Sequence, residues 1–181
     1  MQPIKYMSHW LSQNANEKHY LFTLRDLRAL CPDLSESAFK VLLSRASAYL
    51  LTRVCRGIYL FKETLPLDGL LLFRIAALLR ADEFNYISLE TVLSDAGVIS
   101  QVPINCISIM SSGRSSIISC KEFGTVEFVH TNQKPIDLID KLNYDNNCGL
   151  WRANVSLALR DMKRVHRNCD LIDWDVVNEL I

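Results

Sequence analysis

The chain of 181 residues predicts an α+β fold in two parts, and three observations carry that expectation. Two short helical segments meet across a proline turn inside 22–48, and an arginine-tipped hairpin follows them at once. Beyond residue 66, apolar helical segments alternate with β-rich runs. The first part, 1–62, has the pattern of a winged helix-turn-helix. The second, 66–181, is expected to be a mixed α+β domain with an antiparallel sheet.

Within the first part, Ile4, Met7, Trp10 and Leu11 are spaced for an opening helix that ends in the polar stretch 14–18. Thr23 is placed to cap a short helix through Leu30, Pro32 stops it, and Ser35 caps a second helix over 36–48. On that second helix Phe39, Leu42, Leu43 and Ala46 share one face, which leaves Ser37, Lys40, Val41 and Ser44 on the other. Strands over 50–54 and 58–61 then flank Cys55-Arg56-Gly57, where glycine is free to take positive φ, so Arg53 and Arg56 belong near the tip.

In the second part, a connector with a boundary near Glu63 leads into an apolar helix over 67–80. A strand at 84–87 precedes Ser88, the expected cap of a helix over 89–96 that Gly97 closes. Three β-rich runs, 104–110, 115–121 and 125–130, are expected to form an antiparallel meander, with Ser111-Ser112-Gly113-Arg114 as a hairpin turn. Helices over 135–142, 153–166 and 173–181 complete the domain.

Net charge is zero overall, but 1–62 holds nine Lys or Arg against four Asp or Glu, a net of +5, and the remainder is −5. The positive field therefore covers the segment whose helix face is small, polar and cationic, which is what a major-groove reader requires. The expected partner is double-stranded operator DNA. The candidate contacts are Ser35, Ser37, Lys40, Ser44 and Arg45 on the second helix and Arg53 and Arg56 on the hairpin. Arg25 and Arg28 on the first helix are expected to reach phosphates.

Other chemistries find little support. The six cysteines show no Cys-x-x-Cys spacing, and the N-terminus has no signal-peptide pattern, so a reducing cytoplasm is expected. The most apolar run, 65–81, is interrupted by Asp68 and Arg74 and is short for a bilayer of ~30 Å. His166 and Cys169 form one His-x-x-Cys pair, with His130 elsewhere, and neither a metal nor another cofactor is expected. An enzyme would have to use Asp137, Asp140 or Asp161, but no nucleophile–base spacing accompanies them, and Lys134 and Lys141 suit 137 and 140 to a solvated helix. Arg152, Arg160, Lys163, Arg164 and Arg167 make a second cationic stripe, read as a solvated helix face. The expectation is a non-enzymatic protein. From the residues alone, a winged-helix regulator whose second domain senses a ligand or partner stays open.

Three motifs carry a family resemblance. They are Arg56-Gly57-Ile58-Tyr59; the segment Tyr86-Ile87-Ser88-Leu89-Glu90-Thr91-Val92-Leu93-Ser94 with Gly97-Val98-Ile99 and Val102-Pro103; and Ala153-Asn154-Val155-Ser156-Leu157-Ala158-Leu159-Arg160-Asp161. From about Phe22 to the C-terminus the chain resembles the AbiEi family, antitoxins of type IV toxin–antitoxin (abortive infection) systems. Val155 and Ser156 stand where the family helix usually has Pro and Glu. The resemblance implies an antitoxin encoded beside a nucleotidyltransferase toxin. Its N-terminal domain would repress its own operon at inverted repeats, and its C-terminal domain would neutralise the toxin, with no stable complex required.

Overall fold

The computed structural model describes residues 2–64, 68–100 and 105–181. Pro66, Val102-Pro103 and the first residues of the helix expected from 67 and of the strand expected from 104 lie outside the described residues. The chain divides into two compact units, Met1–Gly69 and Leu70–Ile181. Both mix helices with sheet.

The first unit runs α1 (Pro3–Asn14), β1 (Leu21–Thr23), α2 (Leu24–Ala29), α3 (Glu36–Tyr49), β2 (Leu51–Cys55) and β3 (Ile58–Phe61). Its helix starts are fixed locally. The Asp26 amide donates to Thr23 Oγ1 at 3.1 Å while the Thr23 amide donates to Asp26 Oδ2 at 2.8 Å, a capping box that satisfies two orphan donors. Ser35 Oγ accepts from the Ala38 amide at 3.2 Å and starts α3. The three strands form an antiparallel sheet in the order β1-β3-β2. The apolar sides of the helices close over it through Met7, Leu11, Leu27, Phe39, Leu42 and Ala46. β2 and β3 slip register between Arg53 and Cys55, a bulge beside the Arg56-Gly57 turn in which Gly57 takes φ +81°.

The second unit runs α4 (Leu71–Leu79), β4 (Asn85–Ile87), α5 (Leu89–Asp95), β5 (Cys106–Ser111), β6 (Ser116–Ser119), β7 (Thr125–His130), β8 (Leu142–Asp145), β9 (Leu150–Ala153), α6 (Val155–Arg164) and α7 (Trp174–Leu180). Its six-stranded sheet has the order β6-β7-β5-β4-β9-β8. Because β5 pairs with β7 and β4 with β9 in parallel, the sheet is mixed, not antiparallel.

The expected meander is therefore corrected. Segment 112–115 crosses the end of β7 instead of turning back on β5, and puts β6 on the outer side of β7. The Arg80 guanidinium fastens that crossing. It donates to Ser111 Oγ at 2.8 Å, to Ser116 Oγ at 2.9 Å and to the Arg114 carbonyl, and it lies 4.0 Å from the Phe128 ring. At the other end of the pair, the Thr125 amide donates to the Asn105 carbonyl at 2.8 Å. Gly124, at φ +123°, leaves room for that carbonyl where a Cβ would collide.

Local structure differs at two further points. The helical segment Pro135–Lys141 is present as a 3-10 helix, but Ala153 ends strand β9 instead of opening α6. Ser88 makes no side-chain cap to α5, because its hydroxyl is engaged elsewhere. Among the described residues no helix is long and apolar enough to cross a membrane.

Candidate nucleic-acid interface

α3 presents the face that the sequence marked. Phe39, Leu42, Leu43 and Ala46 are buried, whereas Ser37, Lys40, Val41, Ser44 and Arg45 are exposed. Lys40 Nζ lies 2.9 Å from Glu36 Oε1 one turn earlier. That hydrogen bond, with the lysine charge behind it, holds the Glu36 carboxyl below the usual carboxylate range. Arg45 borders a groove of about 490 Å³ lined by Ile4, Leu34, Val41 and Leu42. The Ser35 hydroxyl caps the helix and sits 3.1 Å from Ser37 Oγ, so of the two it is Ser37 that faces outward with no backbone duty.

The hairpin arginines lie where the spacing put them. Arg53 and Arg56 are exposed, and Arg53 Nε donates across the bulge to the Cys55 carbonyl at 3.3 Å. The turn is tied to α2, since the Leu24 amide donates to the Gly57 carbonyl at 2.8 Å. That bond joins the residue before the exposed Arg25 to the residue after Arg56, and so brings two cations from separate elements to one edge of the unit.

Arg28 departs from its expected role. Its guanidinium folds back over the α2–α3 turn, donating to the Leu34 carbonyl at 2.6 Å and to the Cys31 carbonyl, and lies 5.2 Å from the Phe39 ring. Half-buried and directed at carbonyls and a ring of its own unit, it fastens the α2–α3 turn. The composition of α2 does not distinguish Arg28 from Arg25. Only the path of 31–34 does.

In the second unit the three aspartates of the enzyme reading have different environments. Asp161 is fully buried and accepts from Ser88 Oγ at 2.8 Å, Tyr86 Oη at 3.0 Å and Gln133 Nε2 at 2.9 Å. Asp137 and Asp140 are exposed on the 3-10 helix, where residues three apart eclipse. Burial pushes up the thiols of Cys31, Cys106 and Cys148, which disfavours the nucleophilic thiolate at each. Among the described residues no group of three or more His, Cys, Asp or Glu could hold a metal ion.

The second cationic stripe is divided by its partners. Arg152 is held by Asp95 at 2.5 Å, Arg167 by Glu127 and by Glu90 at 3.6 Å, and Arg160 donates to Gln133 Oε1 at 2.7 Å. Lys163 lies 5.6 Å from the Trp174 ring. Arg152 and Arg167, on the flanks of α6, are thus tied to α5 and β7, whereas Arg160, Lys163 and Arg164 on the helix itself are exposed, as a solvated face requires. No protein-family model matches this sequence, and no curated protein matches it.

Proposed function

We propose that the first unit is a winged helix-turn-helix that binds duplex DNA, and that the whole chain is a non-enzymatic cytoplasmic antitoxin of the type IV kind that represses its own operon. The observation that carries the DNA-binding half is the exposed α3 face of Ser37, Lys40, Ser44 and Arg45. It stands in a unit of net charge +5 over 1–62 whose hairpin displays Arg53 and Arg56. Short side chains permit close approach to base edges, and the flanking cations match phosphates. The neutralising half rests on the resemblance of 86–99 and 153–161 to the AbiEi family.

In this reading two copies occupy an inverted repeat, each with α3 in a major groove and with Arg25, Arg53 and Arg56 on the flanking backbone, and so occlude the promoter. Neutralisation of the neighbouring nucleotidyltransferase toxin belongs to the second unit and needs no stable complex.

The test combines growth and repression. Cells expressing the adjacent gene product are compared with and without this chain, beside a reporter driven by the upstream promoter. The reading expects growth rescue and repression by the intact chain, and loss of repression with retained rescue for R53A/R56A. A harmless neighbour, or toxicity that is never relieved, would eliminate the antitoxin half and leave a DNA-binding regulator.

A further inference from the structure

The outward side of α3 is not uniformly polar. Steps of four, three and four residues place Ser37, Val41, Ser44 and Ala48 on one line, opposite the buried Phe39, Leu42, Leu43 and Ala46. Lys40 lies on one flank of the line and Arg45 on the other. Val41 is the only branched apolar side chain on it and is 53% exposed. A single surface valine is ordinary. Its setting is not: it stands midway between two cations, with hydroxyls one turn away on either side along the helix.

We infer that Val41 is a specificity-determining residue that reads the C5-methyl group of thymine in the major groove, an inference that rests on the DNA-binding function proposed above. Of the four bases only thymine presents an alkyl group on its major-groove edge, so only thymine rewards an alkyl side chain there by removing apolar surface from water. Lys40 and Arg45 supply the flanking contacts that hold the helix in register on the two sides of the groove. Ser37 and Ser44 donate to or accept from the neighbouring base edges, being short enough for the isopropyl group to reach its methyl. Each half-site therefore carries a thymine facing the middle of α3.

The test uses the intact chain and two probes, the duplex immediately upstream of this reading frame and the same duplex with deoxyuridine at every thymidine position. The two probes differ only in the C5-methyl groups. Affinity is measured by fluorescence anisotropy across a salt series for the wild-type chain, V41S and V41A. Alanine keeps helix propensity and so guards against a folding defect.

The wild-type chain should bind the uracil probe more weakly, by about four-fold for each methyl contacted. V41S should bind both probes alike, and V41A, whose methyl makes a smaller contact, should discriminate between them less than the wild type, both with the wild-type salt slope. A change of DNA shape caused by methyl loss would persist in the variants, so their loss of discrimination isolates the contact. Equal wild-type affinity for the two probes at a steep salt slope overturns the role of Val41 and leaves DNA binding standing. Retention of the wild-type ratio in both variants also overturns it, because the methyl is then read by another residue. Absence of salt-dependent binding to either probe overturns both the inference and the function on which it rests.

Discussion

The Ser88 hydroxyl donates to Oδ2 of Asp161 at 2.8 Å, a bond that spans 73 positions of sequence and joins the β4–α5 junction to the middle of α6. Ser88 is at the position where a serine would cap α5, and it makes no such cap. Tyr86, two residues earlier, donates to the same oxygen at 3.0 Å, and the Gln133 amide supplies Oδ1 at 2.9 Å. The junction itself is strained, since the buried Leu89 takes φ +57°. One carboxylate thus draws donors from β4, its junction with α5, and the segment after β7 onto α6.

Replacing that carboxylate should therefore destabilise the second unit strongly. Asp161→Ala leaves the buried Ser88 and Tyr86 hydroxyls without their acceptor in a region closed to water, and takes from the half-buried Gln133 amide one of its two acceptors. A cost of roughly 3 kcal/mol is expected from unsatisfied buried donors. Tyr86→Phe, which removes one donor and keeps the ring, should cost about 1 kcal/mol. Urea unfolding of the two variants checks this. A loss below ~1 kcal/mol for Asp161→Ala would mean that water or repacking replaces the carboxylate.

The same network makes stability depend on alkaline pH. Burial, reinforced by the adjacent Asp161 carboxylate, pushes the Tyr86 phenol well above its ordinary value. A group with a raised folded pKa binds its proton more tightly when folded. Its contribution is complete below the unfolded value of ~10 and declines as pH rises past it, by at most about 1.4 kcal/mol per pH unit. The full chain should lose stability above that point, and Tyr86→Phe should lose less over the same range. The Tyr86 phenolate absorbance step should appear only with unfolding, and it should be absent from Tyr86→Phe. Parallel pH profiles for the two proteins would remove Tyr86 from the account.

How much of this was legible in the sequence follows the range of each interaction. The starts of α2 and α3, the buried face of α3 and the Arg56-Gly57 turn depend on residues three or four apart, so Thr23, Ser35, Phe39 and Gly57 disclose them. The pairing of β5 with β7 depends instead on Arg80 reaching Ser111 and Ser116 and on the approach of Asn105 to Gly124. No local pattern encodes either. Strands β8 and β9 leave little trace in the sequence because each has four residues and Asp145–Gly149 between them reads as a polar loop. By sequence Ser88 reads as a helix cap, and Asp161 only as one of three carboxylates without a catalytic partner. Their actual relation is to each other.

Glu36 restrains the α3 face. Its carboxylate sits 2.9 Å from Lys40 Nζ and is itself exposed beside Ser37, where a phosphate-bearing partner would approach. Glu36→Gln removes a negative charge from that face and releases Lys40, while leaving the cap at Ser35 intact. Under the proposed function, affinity for the upstream duplex should rise roughly two- to five-fold at ~0.1 M salt, with little change at high salt where the charge is screened. Anisotropy titrations of E36Q check it. Weaker binding would show that the ion pair orients Lys40 for its contact instead of masking it.

Arg25 and Arg28 lie three residues apart on one short helix, and their substitutions should separate cleanly. Arg28 bonds the Leu34 and Cys31 carbonyls and lies over Phe39, so Arg28→Ala leaves acceptors of the α2–α3 turn without a donor and exposes an edge of the core. A loss of about 1–2 kcal/mol is expected for this partly exposed cation. Lysine should restore little of it, because a point charge cannot span two carbonyls and stack on a ring as a planar guanidinium does. Arg25 is exposed beside the residue that bonds the Gly57 carbonyl. Arg25→Ala should leave unfolding unchanged and lower the salt slope of DNA binding by about one phosphate's worth, ~0.9 in log–log units. Denaturation and salt titration of the two variants decide the matter together. If Arg28→Ala kept its stability and lost salt slope, the guanidinium would belong to the DNA face and the turn would hold without it.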